Sequence, residues 1–292
     1  MVERILTVPN WSFARQTSLV REACELLDGH DVTVHFCAGD LDHNRTVTAF
    51  SGEPAPVHVA LMALARMVLP SIDLTRHTGV HPRIGGLDVC PFVPLGPVLD
   101  PSAFKTWIEQ GAADFADEFG VPVFLYERSE HGRHEAALPG LRRGGFGGLL
   151  GRALDPDYGP VVAHPRLGAT VWGWREFLIA VNVDLMTDDL AIARLIAQRI
   201  RQMRAEGDER MIGVRALGLP LLSRGQTQVS LNVTMPDSTP LDPILQFVTE
   251  QATQARVKVA RYELIGVMRE GDIPGALTLP HEDRQIVAIG AR

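Results

Sequence analysis

The densest group of side chains capable of chemistry lies between Asp73 and Asp88. It contains Asp73, Arg76, His77, His81, Arg83 and Asp88, punctuated by Gly79, Pro82, Gly85 and Gly86. Histidine is the usual proton acceptor near neutral pH, and glycine lets a substrate approach the backbone closely. The group therefore reads as a general base with cationic neighbours. His77 and His81 also make a His-x3-His pair, which opens a metal reading. Zinc asks for three or four ligands, no Glu stands between the histidines as in a zinc-protease helix, and Gly79 and Pro82 oppose a helical register. No metal is expected, and a metal-dependent hydrolase ranks behind the other readings.

Two further polar groups stand apart in the chain. Asp40-Leu41-Asp42-His43-Asn44-Arg45 falls between two strand-like runs and by itself reads as a solvated hairpin loop. In Arg224-Gly225-Gln226-Thr227-Gln228-Val229-Ser230-Leu231-Asn232, the residues Gln226, Gln228, Ser230 and Asn232 share one strand face. Such a row is the solvent side of a sheet, or the lining of a polar tunnel where two sheets face each other. The glycines of residues 144–151 lack a Walker lysine and a preceding strand, so they read as a flexible connector and not a phosphate loop. His131 and His134 lie in a weakly patterned region and read as surface residues.

The elements that must position these groups follow from hydrophobic spacing. Residues 4–8 form a short apolar run closed by Pro9-Asn10, a strand ending in a turn. Residues 15–27 repeat apolar side chains at helical spacing (Leu19, Val20, Ala23, Leu26, Leu27), and 31–37 and 45–50 alternate as half-buried strands. A helix is predicted over 53–67, another over 103–119, and a strand over 121–126. Residues 87–95 are apolar but contain Pro91 and Pro94, which predicts an edge or terminal strand. The pattern weakens over 127–165, the natural place for a subdomain connection. Beyond it come a strand at 177–183, a helix at 188–204 with an acidic start, strands at 211–217 and 228–234, a helix at 241–255, a strand at 257–265 and an edge element within 272–292. The order β-α-β-β-α-β thus occurs twice. It predicts an α+β chain of two ferredoxin-like subdomains, residues 1–170 and 171–292. Their bare sheet faces would cover each other, leaving a cleft for a ligand.

Composition limits the partners. The chain has 292 residues, 46% hydrophobic and 22% charged, with a formal charge of −7. That acidity argues against nucleic acid, although local arginines still hold small carboxylates. No secretory leader pattern stands at the N-terminus, and no run approaches the roughly 20 apolar residues of a membrane span. A cytoplasmic protein without a membrane partner is expected. Cys24, Cys37 and Cys90 have no CxxC spacing and read as small buried thiols in a reducing compartment.

The residues also carry a family resemblance. Val8-Pro9-Asn10, Asn44-Arg45-Thr46-Val47, and the run Ile72-Asp73, Arg76-His77, His81-Pro82-Arg83 and Leu87-Asp88-Val89-Cys90-Pro91-Phe92-Val93-Pro94 resemble the formiminotransferase family. So do Leu138-Pro139 with Arg142 and Gly144, Gly168-Ala169-Thr170, Phe177-Leu178-Ile179-Ala180 with Asn182, and Gln228-Val229-Ser230 with Asn232. The resemblance implies two ferredoxin-like subdomains with facing sheets, a homodimer and a folate tunnel. It implies transfer of a formimino group from N-formiminoglutamate to tetrahydrofolate as co-substrate, releasing glutamate, in histidine degradation. It places the catalytic histidine at His81. Arg45, Arg83 and Arg224 are then candidates to hold donor or folate carboxylates in bidentate fashion. Asn10, Asn44 and Asn232 are candidates to hydrogen-bond the pterin or the amidine, and Gly85 and Gln228 complete the substrate-binding set. Bifunctional members carry a further cyclodeaminase domain, so a separate cyclodeaminase is expected as a partner.

Two stretches depart from the family pattern. After Pro9-Asn10 the chain reads Trp11-Ser12-Phe13-Ala14-Arg15, without the family's Ser-Glu-Gly, and Cys37 stands where the family has an aspartate. These changes leave the donor open between formiminoglutamate and a relative such as formylglutamate or formiminoglycine. A non-catalytic folate-binding homologue is the alternative of a different class.

Overall fold

The apolar run near the N-terminus forms β1 (Ile5–Thr7), which Val8-Pro9 interrupts before β2 (Asn10–Trp11). The structure is a computed structural model that describes residues 2–290. They gather into two units, one reaching to Arg175 and joined by Gly290, the other spanning Glu176–Ile289. The first unit continues with α1 (Thr17–Asp28), β3 (Thr33–Asp40), β4 (Arg45–Gly52), α2 (Pro54–Val68), β5 (Leu87–Pro94), α3 (Pro101–Phe119), β6 (Val123–Leu125), α4 (Leu138–Leu141) and β7 (Thr170–Trp174). Local chemistry starts the helices. Pro54 and Pro101 sit in first turns, where no N–H is needed, and Asp100 caps α3 by accepting from Ala103 N at 2.9 Å.

In the first sheet β1 and β2 lie end to end between β4 and β5; β3 flanks β4, and β7 and β6 extend the β5 side. The pairs β5–β7 and β6–β7 are parallel and the others antiparallel. Trp11, Phe50, Leu61, Leu64, Phe92, Phe104, Phe115 and Trp172 are fully buried in the main core. A smaller cluster, including Ile84, Val89, Phe124, Tyr126 and Val171, takes in Leu138 and Leu141 of α4. Residues Pro54–Ser71 have the length and composition of a membrane span. Val57, Ala60, Leu61, Leu64, Ala65 and Val68 are nevertheless spent on this core, so α2 is a core helix.

Three expectations are corrected here. β5 is an interior strand, despite its prolines, with β1 and β2 on one side and β7 on the other. Pro91 falls opposite the break between β1 and β2, where Pro9 also lacks an N–H, so the sheet loses little pairing there. β7 is a strand no local pattern announces, because its partner β5 is remote in sequence. The thiols are not all reduced: Cys24 on α1 and Cys37 on β3 form a disulfide with Cα atoms 5.8 Å apart, within the bridging range, and Cys90 is free and buried. Spacing along the chain does not reveal that a helix returns beside the strand that follows it.

Alkylation of the unfolded chain is therefore expected to modify one thiol without reductant and three with it. Reduction should also cost about 3 kcal/mol of stability, the loop-closure value for a bridge of this span, read as a lowered denaturant midpoint. Three reactive thiols in the non-reduced, unfolded protein would refute the bridge.

The second unit runs β8 (Ile179–Leu185), α5 (Leu190–Ala205), β9 (Val214–Leu221), β10 (Gln226–Val233), α6 (Leu241–Gln254) and β11 (Val259–Ile265). Its sheet has the order β11-β8-β10-β9, antiparallel throughout. Val181, Val183, Leu185, Val229, Leu231 and Val233 are buried on one face, while Asn182, Asp184, Gln228, Ser230 and Asn232 share the other. The first unit repeats this spatial order when β1 and β2 count as one strand, with α3, β6 and β7 as its extension. The terminal strand β13 (Ile286–Val287) pairs in parallel with β12 (Met268–Arg269) in a separate small sheet, so it does not extend the larger one. The last two positions of the expected edge element lie outside the described residues.

Candidate functional site

The first unit gathers its polar residues where β4 begins and β5 carries an irregularity. Asn10 pairs with Val89 and Trp11 with Leu87, so Asp88 is an extra residue in β5, a β-bulge. Leu87 and Cys90 join the main core while Val89 joins the smaller cluster. The bulge thereby breaks the two-residue alternation and turns Asp88 out of the apolar packing. Asp88 is 1% exposed. Its Oδ1 accepts from Ile84 N at 2.8 Å, and its Oδ2 accepts from Arg45 Nη2 at 2.8 Å and from Arg142 Nη2. Burial alone would raise its pKa, but Arg142 and Arg45 outweigh it and hold the carboxyl below its ordinary range.

Arg45 opens β4 and also reaches His81. Its Nη1 lies 2.8 Å from Nδ1 and 3.1 Å from Nε2, and Nδ1 lies 2.9 Å from Pro82 O. Guanidinium only donates and a carbonyl only accepts. Pro82 O favours the neutral tautomer with its proton on Nδ1, which leaves the lone pair on Nε2, while Arg45 Nη1 stays within reach of both ring nitrogens. Burial first, then Arg45, Arg142 and the His43 ring, push His81 well below its ordinary 6.5. The His43 and His81 ring centroids are 5.7 Å apart. Arg45 itself is lowered to about 9, by burial and Arg142 against the pull of Asp88.

Several predicted site residues hold the loops together. Arg83 donates to the carbonyls of Asn44 (3.0 Å), His43 (2.5 Å) and His81 (3.0 Å) and contacts His77 Nε2 at 2.9 Å. Burial and then Arg83 take His77 down to about 4, so this ring is a neutral structural neighbour. Asn44 has φ of 46°, a left-handed conformation that asparagine tolerates. Its Oδ1 accepts from Ala14 N and Arg15 N, and its Nδ2 donates to Thr78 O. A Cβ at Gly79 would stand 2.3 Å from His43 O, so only glycine lets the 77–83 loop lie on the β3–β4 turn. Gly85 is equally constrained, with Ala169 O 2.1 Å from its would-be Cβ. Asn10 turns its amide to Val8 O at 2.9 Å.

The second unit has its own polar centre. Asp184 on β8 is 1% exposed and accepts from Gln228 Nε2 (2.7 Å), Arg261 Nε (2.7 Å) and Arg224 Nη1 (3.1 Å). Gln228 Oε1 is buried without a hydrogen-bond partner. Asn232 is exposed, opposite Ala180 and Arg215. Among the described residues no three His, Cys, Asp or Glu side chains gather as a metal ion requires.

Asn44, Arg45, His81 and Arg83 thus converge in the first unit, and Arg224 and Gln228 converge in the second. Asp88, which stood in the polar group of residues 73–88, Arg142, which stood in the family motif, and Asp184 and Arg261 were not among the expected substrate-binding residues. Two of them carried a signal: Asp88 and Asp184 are lone carboxylates inside apolar strands, a placement that demands cationic partners. Arg142 showed only through the family motif, and Arg261 carried no signal, because their partners are remote in sequence.

Comparison with known proteins adds to this geometry. The family model of the formiminotransferase domain, N-terminal subdomain, matches residues 4–175, and that of the formiminotransferase domain matches residues 180–273. A glutamate formimidoyltransferase of Streptococcus pyogenes serotype M1 is 31% identical over 91% of this chain and 89% of its own length. One from Thermoplasma acidophilum is 30% identical over 90% of this chain and 87% of its length. A formimidoyltransferase-cyclodeaminase of Gallus gallus is 35% identical over 77% of this chain; the match spans 42% of that longer protein.

Proposed function

From the premise that this chain belongs to the formiminotransferase family, we propose that it transfers the formimino group of N-formiminoglutamate to tetrahydrofolate, with His81 as the base. The observation that carries the role of His81 is its place: the ring lies beside Arg45 in a partly buried cationic site that lowers its pKa, and with Nδ1–H turned to Pro82 O the lone pair falls on Nε2. The N5 amine of tetrahydrofolate attacks the amidine carbon and becomes positively charged. Its proton passes to Nε2 and then to the departing nitrogen as the bond to glutamate breaks. The products are 5-formiminotetrahydrofolate and glutamate, with no proton or electron left over. His81 is a weak base, but the ammonium formed at N5 is a strong acid, and a depressed pKa keeps the acceptor unprotonated at working pH.

Arg83, His77 and Asn44 hold the loop that carries His81. Asp88 holds Arg45 and Arg142. In this reading the chain works in the cytoplasm, forms the homodimer that the family resemblance implies, and acts beside a separate cyclodeaminase. The bifunctional relatives supply the ground for that last partner.

The test is a transfer assay with the purified chain, tetrahydrofolate and formiminoglutamate, following glutamate release against pH. Because His81 must be neutral and its pKa is lowered, the acid limb of kcat/KM should lie below pH 6.5. Absence of transfer would remove the function. Transfer whose rate halves above pH 6.5 would remove His81 as the base of the free enzyme.

A further inference from the structure

We propose that Arg45 and Arg142 together form the subsite for the α-carboxylate of the donor, so that the donor is read first as an N-substituted α-amino acid. This rests on the transferase reading and says which part of the donor the site recognises.

Charge is the first ground. The Arg45 and Arg142 side chains are only 11% and 12% exposed, and both hydrogen-bond to the same oxygen of Asp88. Two buried cations therefore share one anion, and Arg142 Nε is buried without a hydrogen-bond partner. A buried donor left unsatisfied costs free energy, and a carboxylate arriving there would supply both the missing acceptor and the missing charge. Arg83 is not an equivalent candidate, because its N–H groups already hold the carbonyls of Asn44, His43 and His81.

Geometry is the second ground. Arg45 Nη1 touches both ring nitrogens of His81, so an oxygen held by Arg45 lies beside the base. In the donor the α-carboxylate is attached to the same carbon as the amidine nitrogen, whereas the γ-carboxylate is further along the side chain. Docking the α-carboxylate on the arginine pair therefore sets the amidine carbon next to His81.

Position is the third ground. Arg142 follows directly on α4, whose Leu138 and Leu141 pack on the smaller apolar cluster. Phe146 N donates to Arg83 O at 3.0 Å, tying the following segment to the loop of His81. The arginine pair reads no side-chain length, so glutamate-based and glycine-based donors satisfy it equally.

Calorimetric titration of the whole chain with glutamate, glutamine and isoglutamine tests this directly. Glutamine keeps the α-carboxylate and isoglutamine lacks it. Charge-assisted bidentate pairing predicts that isoglutamine binds about 10- to 100-fold more weakly than the other two. Arg142→Gln should weaken glutamate by a similar factor, and Arg142→Lys should restore part of it. The comparison among ligands needs no variant, so a substitution that fails to fold leaves the test intact. Isoglutamine binding as tightly as glutamate, no glutamate binding at all, or a folded Arg142→Gln with unchanged glutamate affinity would each overturn the subsite. A chain that shows this selectivity but transfers nothing to tetrahydrofolate would overturn the transferase reading instead.

Discussion

Replacing His81 with Asn is expected to lower the transfer rate by about 10²- to 10⁴-fold, the usual contribution of a positioned proton acceptor. Asn is chosen because its side-chain oxygen still accepts from Arg45, so the guanidinium keeps a partner and the site its packing. The proton on N5 then has no acceptor at the right place, and the tetrahedral adduct returns to reactants. The loss should fall on kcat, with tetrahydrofolate affinity by calorimetry within about threefold and the unfolding midpoint unchanged. A variant retaining more than a tenth of the rate would show that the proton leaves by another route. Because His81 sits on a loop anchored by Arg83 and Asn44, His81→Asn tests chemistry, while changes at those two residues test placement.

Replacing Asp88 with Asn is expected to cost about 3–5 kcal/mol of stability, the penalty for removing one partner of a buried charge group. The amide can still accept from Ile84 N, so the backbone contact survives. The charge does not, and Arg45 and Arg142 are left facing each other in a buried place. Chemical denaturation followed by circular dichroism would read the loss as a lowered midpoint at unchanged slope. A change below about 1 kcal/mol would mean that water or another acid takes over the two guanidiniums.

The wild-type pH dependence carries the same information. Asp88 has a folded pKa lowered from 3.8. Its pairing stabilises the fold fully above that value, and the contribution is lost as pH falls through the lowered one. His77 and His81 act earlier. Their folded pKa values lie below 6.5, so the unfolded chain takes up their protons first, and stability declines as pH drops from 6.5.

Much of the architecture was legible in the sequence, for local reasons. The helix at Thr17–Asp28 shows in its apolar spacing and β10 in its alternation, since each period is written within a dozen residues. The paired β-α-β-β-α-β order follows from those elements. The histidine loop was also visible, because Gly79, Pro82 and two histidines in so short a run have no ordinary role in an element.

What the sequence could not say is which partners each of these side chains meets. Arg45, Arg83 and Arg224 look alike as carboxylate holders. In the folded chain Arg83 spends its donors on carbonyls, Arg45 bridges Asp88 to His81, and Arg224 serves Asp184 in the other unit. The altered stretch Trp11–Arg15 is likewise tied to the rest of the first unit. Trp11 Nε1 donates to Thr48 Oγ1, Ser12 Oγ to Gly85 O, and Arg15 Nη1 to Thr78 Oγ1.

By itself, then, the sequence determined the family, the element order and the histidine that could act as a base, because motif and periodicity are properties of neighbouring residues. Only the tertiary structure decided that Asp88 is a bulge residue joining Arg45 to Arg142, and that Cys24 bridges Cys37. A buried charge and a disulfide are each completed by a partner brought from elsewhere in the chain, and that meeting is set by packing, not by spacing.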